Sequence, residues 1–243
     1  MKLKNFLLLV LLAALWGPSF LFIKVAVAEI PPLTLVLGRV GLAAVLLTVF
    51  LLVQGKSLPR SRTVWRHLAV MGLVHNTIPF VLFGWGEQYI DSALASILNG
   101  TTPLFTIFLA HYFVEDDRLT PTKLVGAVIG FAGLILLILP SFTDGIEATT
   151  WGLLAVALAS LMYGVAIVYS RNHLRGLPPL VAPAGQMIMA TIYLLPLSLL
   201  IDRPFGLALP SLPALGSRLA LGVLGTAVAF VVYYRLLETA PAS

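Results

Sequence analysis

The residues of this chain that could do chemistry are polar side chains set into otherwise apolar runs. Lys24 and Arg39 interrupt "LWGPSFLFIKVAVAEIPPLTLVLGR", residues 15–39. His75, Asn76 and Thr77 precede Pro79 in a third run, and Asn99 opens "NGTTP" in a fourth. Tyr163, Arg171 and Gln186 follow in the second half, and Trp16 lies deep in the first run. Such a set can hold a polar solute reversibly. Arg and Lys pair with a carboxylate, His and amides donate and accept hydrogen bonds, and aromatic rings form walls. Covalent catalysis would need a nucleophile beside a base, or carboxylates within reach of one another. No such constellation is present. The sequence contains no Cys, and its ten carboxylates fall in loops or within a turn or two of helix ends. An enzyme is therefore not expected, nor a metal or cofactor. No midspan Asp or Glu offers itself as a proton relay or Na⁺ ligand, so proton coupling would have to use His75 or a near-end carboxylate such as Glu87.

The elements that must carry these residues are dictated by composition. Of 243 residues, 59% are hydrophobic and 10% are charged, whereas soluble domains run nearer 25% charged. The lipid bilayer is thus the expected partner surface, and the net charge of +5 is no sign of nucleic acid. A span takes about 20 apolar residues. Eight segments qualify, near 5–28, 33–53, 67–89, 92–113, 122–140, 150–171, 180–201 and 215–238. Period-2 alternation is missing, so a helical bundle is expected rather than a barrel. With the N-terminus cytoplasmic, that side receives Lys2, Lys4, Lys56, Arg60, Arg62, Arg66, Arg118, Lys123, Arg171, Arg175 and Arg235. The far side keeps Lys24, Arg203 and Arg218. This asymmetry predicts a multi-pass protein of the cell (inner) membrane with its N-terminus inside.

Shifted by 147 residues, the opening stretch falls on "MYGVAIVYSRNHLRGLPPLVAPAGQ", residues 162–186. Trp16-Gly17 meets Tyr163-Gly164, Lys24 meets Arg171, Pro31-Pro32-Leu33 meets Pro178-Pro179-Leu180, and Gly38-Arg39 meets Gly185-Gln186. A shift of 150 aligns Gly72 with Gly222, Phe80 with Phe230 and Gln88 with Glu238. The copy begins five helices further on, an odd offset, so the two copies cross in opposite directions, an inverted repeat of the kind common in transporters. The repeat also argues that the first run, though it begins like a signal peptide, belongs to the fold. The expected domains are 1–140, a first repeat of five helices, and 141–243, a second repeat of three.

"LWGPSFLFIK" with "PPLTLVLGR", then "YIDSALASILNGTTPLFTIFLAHYF" and "LTPTKLVGAVIGFAGLILL", resemble the EamA type of the drug/metabolite transporter superfamily over essentially the whole chain. The acidic loop "VEDDRLT" departs from the Gly-Glu that the family carries there. The resemblance implies an all-α bundle of ten helices in two inverted five-helix repeats, of which eight are expected here, around a central cavity for small metabolites such as amino acids. The expected function is export of such polar or zwitterionic compounds by alternating access. The expected substrate contacts are Trp16, Arg39, His75, Asn76, Asn99, Tyr163 and Gln186, with Lys24 and Arg171 as gates. Ordinary roles compete with each: Lys24 snorkelling to headgroups, Arg39 pairing with an interior carbonyl, the His75-Asn76 group bonding between helices. An alternative is a fragment or assembly subunit, completed by a homodimer mate or by a partner that supplies the missing helices.

Overall fold

The computed structural model describes residues 3–114, 118–138, 146–178 and 180–239. Glu115, Asp116, Asp117 and Pro179, which figure in the motifs above, lie outside them. The described residues form helices: α1 Leu3–Val27, α2 Pro32–Val53, α3 Arg62–Gly86, α4 Ser92–Phe113, α5 Pro121–Ile138, α6 Ile146–His173, α7 Val181–Asp202 and α8 Leu212–Leu236. Seven are long and apolar enough to cross a membrane, and the apolar stretch Pro121–Gly133 of α5 is shorter. The chain is a polytopic helical membrane protein.

Local sequence sets the breaks. Gly17-Pro18 splits α1 into Leu3–Trp16 and Ser19–Val27, because Pro18 has no N–H to continue the ladder. Pro31, extended at φ −55° and ψ 147°, turns the chain into α2, which opens on Pro32. Ser61 and Ser211 cap α3 and α8, their hydroxyls accepting the Val64 and Ala214 amides at 3.5 and 3.4 Å. Both caps stand at the 150-residue shift.

Two widened turns stand within one residue of the same shift. α3 opens into a π-helical stretch over Gly72–Thr77 and α8 over Val223–Val228. In α3 the cause is Pro79, whose ring would otherwise meet the carbonyl four residues back. In each stretch a side chain takes the carbonyl five residues earlier: Asn76 Nδ2 donates to Met71 O at 3.4 Å, and Thr226 Oγ1 to Leu221 O at 2.8 Å.

One apolar core joins α2 to α7 through Val40, Ala43, Leu47 and Leu51 against Ala184, Met187, Ala190 and Leu194. A second joins the later half of α1 to the end of α3, the start of α4, α6 and α8. The principal pairings are α2 with α7, α1 with α8, α3 with α6, α3 with α7, α2 with α8 and α4 with α6. Exchanging α1, α2 and α3 for α6, α7 and α8 maps the first five onto themselves. Close approach is bought by small residues: a Cβ on Gly72 would stand 2.8 Å from Met189 Cβ and 2.9 Å from the Gln186 carbonyl.

Candidate functional site

The middle of the bundle holds a polar cluster assembled from α2, α3, α6, α7 and α8. Arg39 is 7% exposed. Its Nε donates to Thr226 Oγ1 at 2.9 Å, and its Cζ lies 3.8 Å from the centroid of the Phe80 ring. A charge at this depth needs such partners. The widened turn of α8 delivers one and the turn after Pro79 the other. His75 Nδ1, in the tautomer that donates, reaches Gln186 Oε1 at 3.3 Å. The His75 ring packs edge-on against Tyr163 and Phe230, with centroids 5.5 and 6.1 Å away. Tyr163 continues to Phe83 at 5.8 Å, and Phe83 to Phe20 at 5.4 Å. An aromatic column therefore runs from α8 to α1 beside the arginine.

One end of this cluster is sealed. Lys24 Nζ donates to the main-chain oxygens of Glu87 and Ile90 at 2.6 and 2.8 Å, tying α1 to the C-terminal end of α3. Ile30 and Ile90 are buried alongside. Outside the spans, Glu29 accepts the Ser211 amide and hydroxyl, both at 2.6 Å. Those two bonds hold the Glu29 carboxyl below its usual value. They join the α1–α2 loop to the cap of α8.

The other end is hollow. A cavity of about 170 Å³ is lined by His75, Gln186, Phe230, Ser170, Arg171 and Tyr233, among others. A groove of about 620 Å³ shares Ser170, Arg171 and Tyr233 with it and reaches Thr102, Thr106 and Lys123. The helical break of α4 at Gly100-Thr101 turns Thr102 and Thr106 toward this groove. Together the two hollows fall within the roughly 300–1,000 Å³ of small-molecule sites.

Of the residues singled out in the sequence, Arg39, His75, Tyr163 and Gln186 meet in the central cluster. Arg171 lines the hollow, and Lys24 belongs to the sealed end. Asn76 is fully buried but spends its amide on Met71 O. Asn99 accepts from Thr102 Oγ1 at 3.4 Å within its own helix break. Trp16 is 38% exposed and packs on Tyr233, a residue that lines both hollows, with centroids 5.8 Å apart. Two participants escape the sequence reading: Thr226, the partner of Arg39, and Phe80, which enters it only as a repeat mate. A polar residue in the α8 widened turn was a usable signal for the first.

The cluster resembles a solute site, with hydrogen-bonding groups at the floor of a hollow and no reactive pair. The sequence profile of the EamA-like transporter family matches residues 3–139 and again 150–243. This chain belongs to the EamA-like transporter family. Its relatives include the transporter YoaV of Bacillus subtilis (strain 168), 27% identical over 94% of this chain and 78% of the relative. The inner membrane transporter YedA of Escherichia coli (strain K12) is 29% identical over 92% and 71%. A protein of Streptantibioticus cattleyicolor named a "probable terminal-alkyne amino-acid exporter" is 28% identical over 92% and 73%. A crystal structure 21% identical in sequence superposes with a TM-score of 0.70 over 96% of this chain and 79% of that one, which fixes the fold. The EamA chain is a membrane transporter, and its cluster and hollow are read below in that light.

Proposed function

We propose that this EamA chain is a secondary transporter that exports amino acids or similar polar, zwitterionic compounds across the inner membrane by alternating access. The observation that carries the reading is the inequality of the two ends: one latched by Lys24 and the Glu29–Ser211 bridge, the other hollow down to His75 and Gln186. A pathway caught open to one side has this form. The base asymmetry of the loops supports a cytoplasmic placement of the hollow, the loading side of an exporter. The cavity offers Arg171 and Arg175 for a carboxylate, with Ser170, Gln186 and His75 for polar groups. The inverted repeat is supported by capping serines and widened turns recurring about 150 residues apart, by the double family match, and by the exchange symmetry of the helix pairings. The exporter among its relatives supports amino-acid cargo.

The test is efflux from proteoliposomes loaded with an isotope-labelled mixture of the proteinogenic amino acids, with mass-spectrometric identification of what leaves. Selective efflux is expected for at least one component, and Gln186→Leu should reduce it. If every component leaves no faster than from protein-free vesicles, amino-acid export is refuted.

A further inference from the structure

Glu87, the residue that follows α3 as its C-cap, is the carboxylate the transport reading leaves unused. It is wholly buried, and neither carboxylate oxygen has a hydrogen-bond partner among the described residues. It sits at a helix C-terminus, where main-chain carbonyls already present partial negative charge. The charged groups that act on it are Lys24 from α1 and Arg39 from α2, and Tyr163 from α6 acts on Arg39 in turn. Neither cation bonds to the carboxylate. Lys24 spends its donors on the Glu87 and Ile90 main-chain oxygens. Arg39 directs Nε to Thr226 and lays its face on Phe80. An ionised carboxylate with two cations at hand would be expected to bond to one of them. The absence of any such bond fits a neutral carboxyl.

We propose that Glu87 is a proton-binding site whose occupancy closes the Lys24 end of the pathway. A proton taken from water at that end neutralises the carboxylate and lets it enter the apolar packing of Ile30, Phe83 and Ile90. Opening rehydrates the carboxyl, and the proton returns to the same water. Burial pushes the carboxyl up to about 8, against the pull of Lys24 and Arg39. The closed form therefore binds the extra proton. It is favoured at low pH and loses that advantage as pH rises through about 8. The inference rests on the alternating-access reading, and its test contains no substrate, so failure of amino-acid export leaves the result interpretable.

The chain has no Cys, which permits single-thiol labelling by a membrane-impermeant maleimide. Ile30→Cys reports on the sealed end, where Ile30 is 2% exposed, and Leu209→Cys, 95% exposed, is the reference for thiol ionisation. The Ile30-to-Leu209 rate ratio should rise about tenfold between about pH 7 and pH 9 as one proton is lost. With Glu87→Gln it should stay low and flat. A flat ratio in the parent overturns the proposal, as a carboxylate that only seats a substrate ammonium would give. So does a rise that survives Glu87→Gln. Should Glu87→Gln fail to give monodisperse protein, infrared spectra of the Ile30→Cys chain with isotope-labelled glutamate decide. A protonated-carboxyl band fading from about pH 7 to pH 9 upholds the site, and no such band refutes it.

Discussion

Thr226→Val isolates the bond that anchors Arg39 in the apolar interior. Valine keeps the shape of threonine and removes the hydroxyl that accepts from Arg39 Nε at 2.9 Å and donates to Leu221 O at 2.8 Å, so the coupling with Arg39 is what reports the bond between them. Thr226 is completely buried, so water cannot replace the acceptor. Neutral interhelical hydrogen bonds in a membrane average about 0.6 kcal/mol and reach about 1.7. A charged donor roughly doubles a neutral bond, which puts the expected destabilisation at about 1–3 kcal/mol. Arg39 should stay in place, because its contact with Phe80 survives and is worth about 2 kcal/mol when desolvated. Reversible unfolding in mixed micelles, run on Thr226→Val, Arg39→Met and the double variant, yields the coupling energy. About 1–2 kcal/mol of coupling is expected, with Thr226→Ser, which keeps the hydroxyl, close to the parent. A coupling within the roughly 0.3–0.5 kcal/mol scatter of independent sites would show that the 2.9 Å contact does not anchor the arginine.

Gly72→Ala should destabilise by about 1–3 kcal/mol through overpacking, because its Cβ would meet the α7 main chain at the Gln186 carbonyl; melting of the purified protein checks this. Lys24→Met removes both bonds that close α1 on the end of α3 and should speed labelling of Ile30→Cys severalfold, an unchanged rate being evidence against the latch. The Glu29 carboxyl, held down first by the Ser211 hydroxyl and then by its amide, should titrate in NMR below the ordinary glutamate value and return toward it in Ser211→Gly. Because the folded value is the depressed one, stabilisation by this bridge is complete above the ordinary value and disappears as pH falls through the lowered one.

Span positions were legible because hydrocarbon thickness imposes a length and forbids unsatisfied backbone. The breaks at Gly17-Pro18, Pro31-Pro32 and Gly100-Thr101 were legible because Pro and Gly act locally. Arg39 could be picked from its depth alone, since a charge there demands partners. Which partners it finds was not legible. Thr226 lies 187 residues away, and its hydroxyl faces α2 only because α8 widens there, with no proline to announce the turn. Lys24 shows the same limit. Its type and position suited a headgroup or a substrate equally, and only the packing of α1 on α3 gives it two carbonyl oxygens instead. For Trp16, depth along the helix was legible but its ring partner was not: it packs on Tyr233, 217 residues on in sequence, which lines both hollows.

The two central polar pairs are related, and their difference bears on why the ends differ. Arg39 and Gln186 align across the 147-residue shift, and Thr226 aligns with Asn76 across the 150-residue shift, next to His75. Each first-named residue reaches the widened turn of a helix in the other half: Arg39 to Thr226 at 2.9 Å, and Gln186 to His75 at 3.3 Å. On the proposed repeat these are neighbouring rather than equivalent contacts, since Gln186 bonds the residue beside the Thr226 counterpart, and they differ in chemistry. The first is a short, charge-assisted bond backed by the Phe80 ring, the stronger kind in an apolar interior. The second is long and neutral, and it forms the floor of the open cavity. A repeat with identical residues in both contacts would favour neither side. On the proposed alternating-access reading, the charged bond lies with the sealed end and the weak one with the open end, and that difference between the halves would bias which end closes. On the proposal above, protonation of the buried Glu87 carboxyl adds to that bias at the sealed end, and its loss removes the addition.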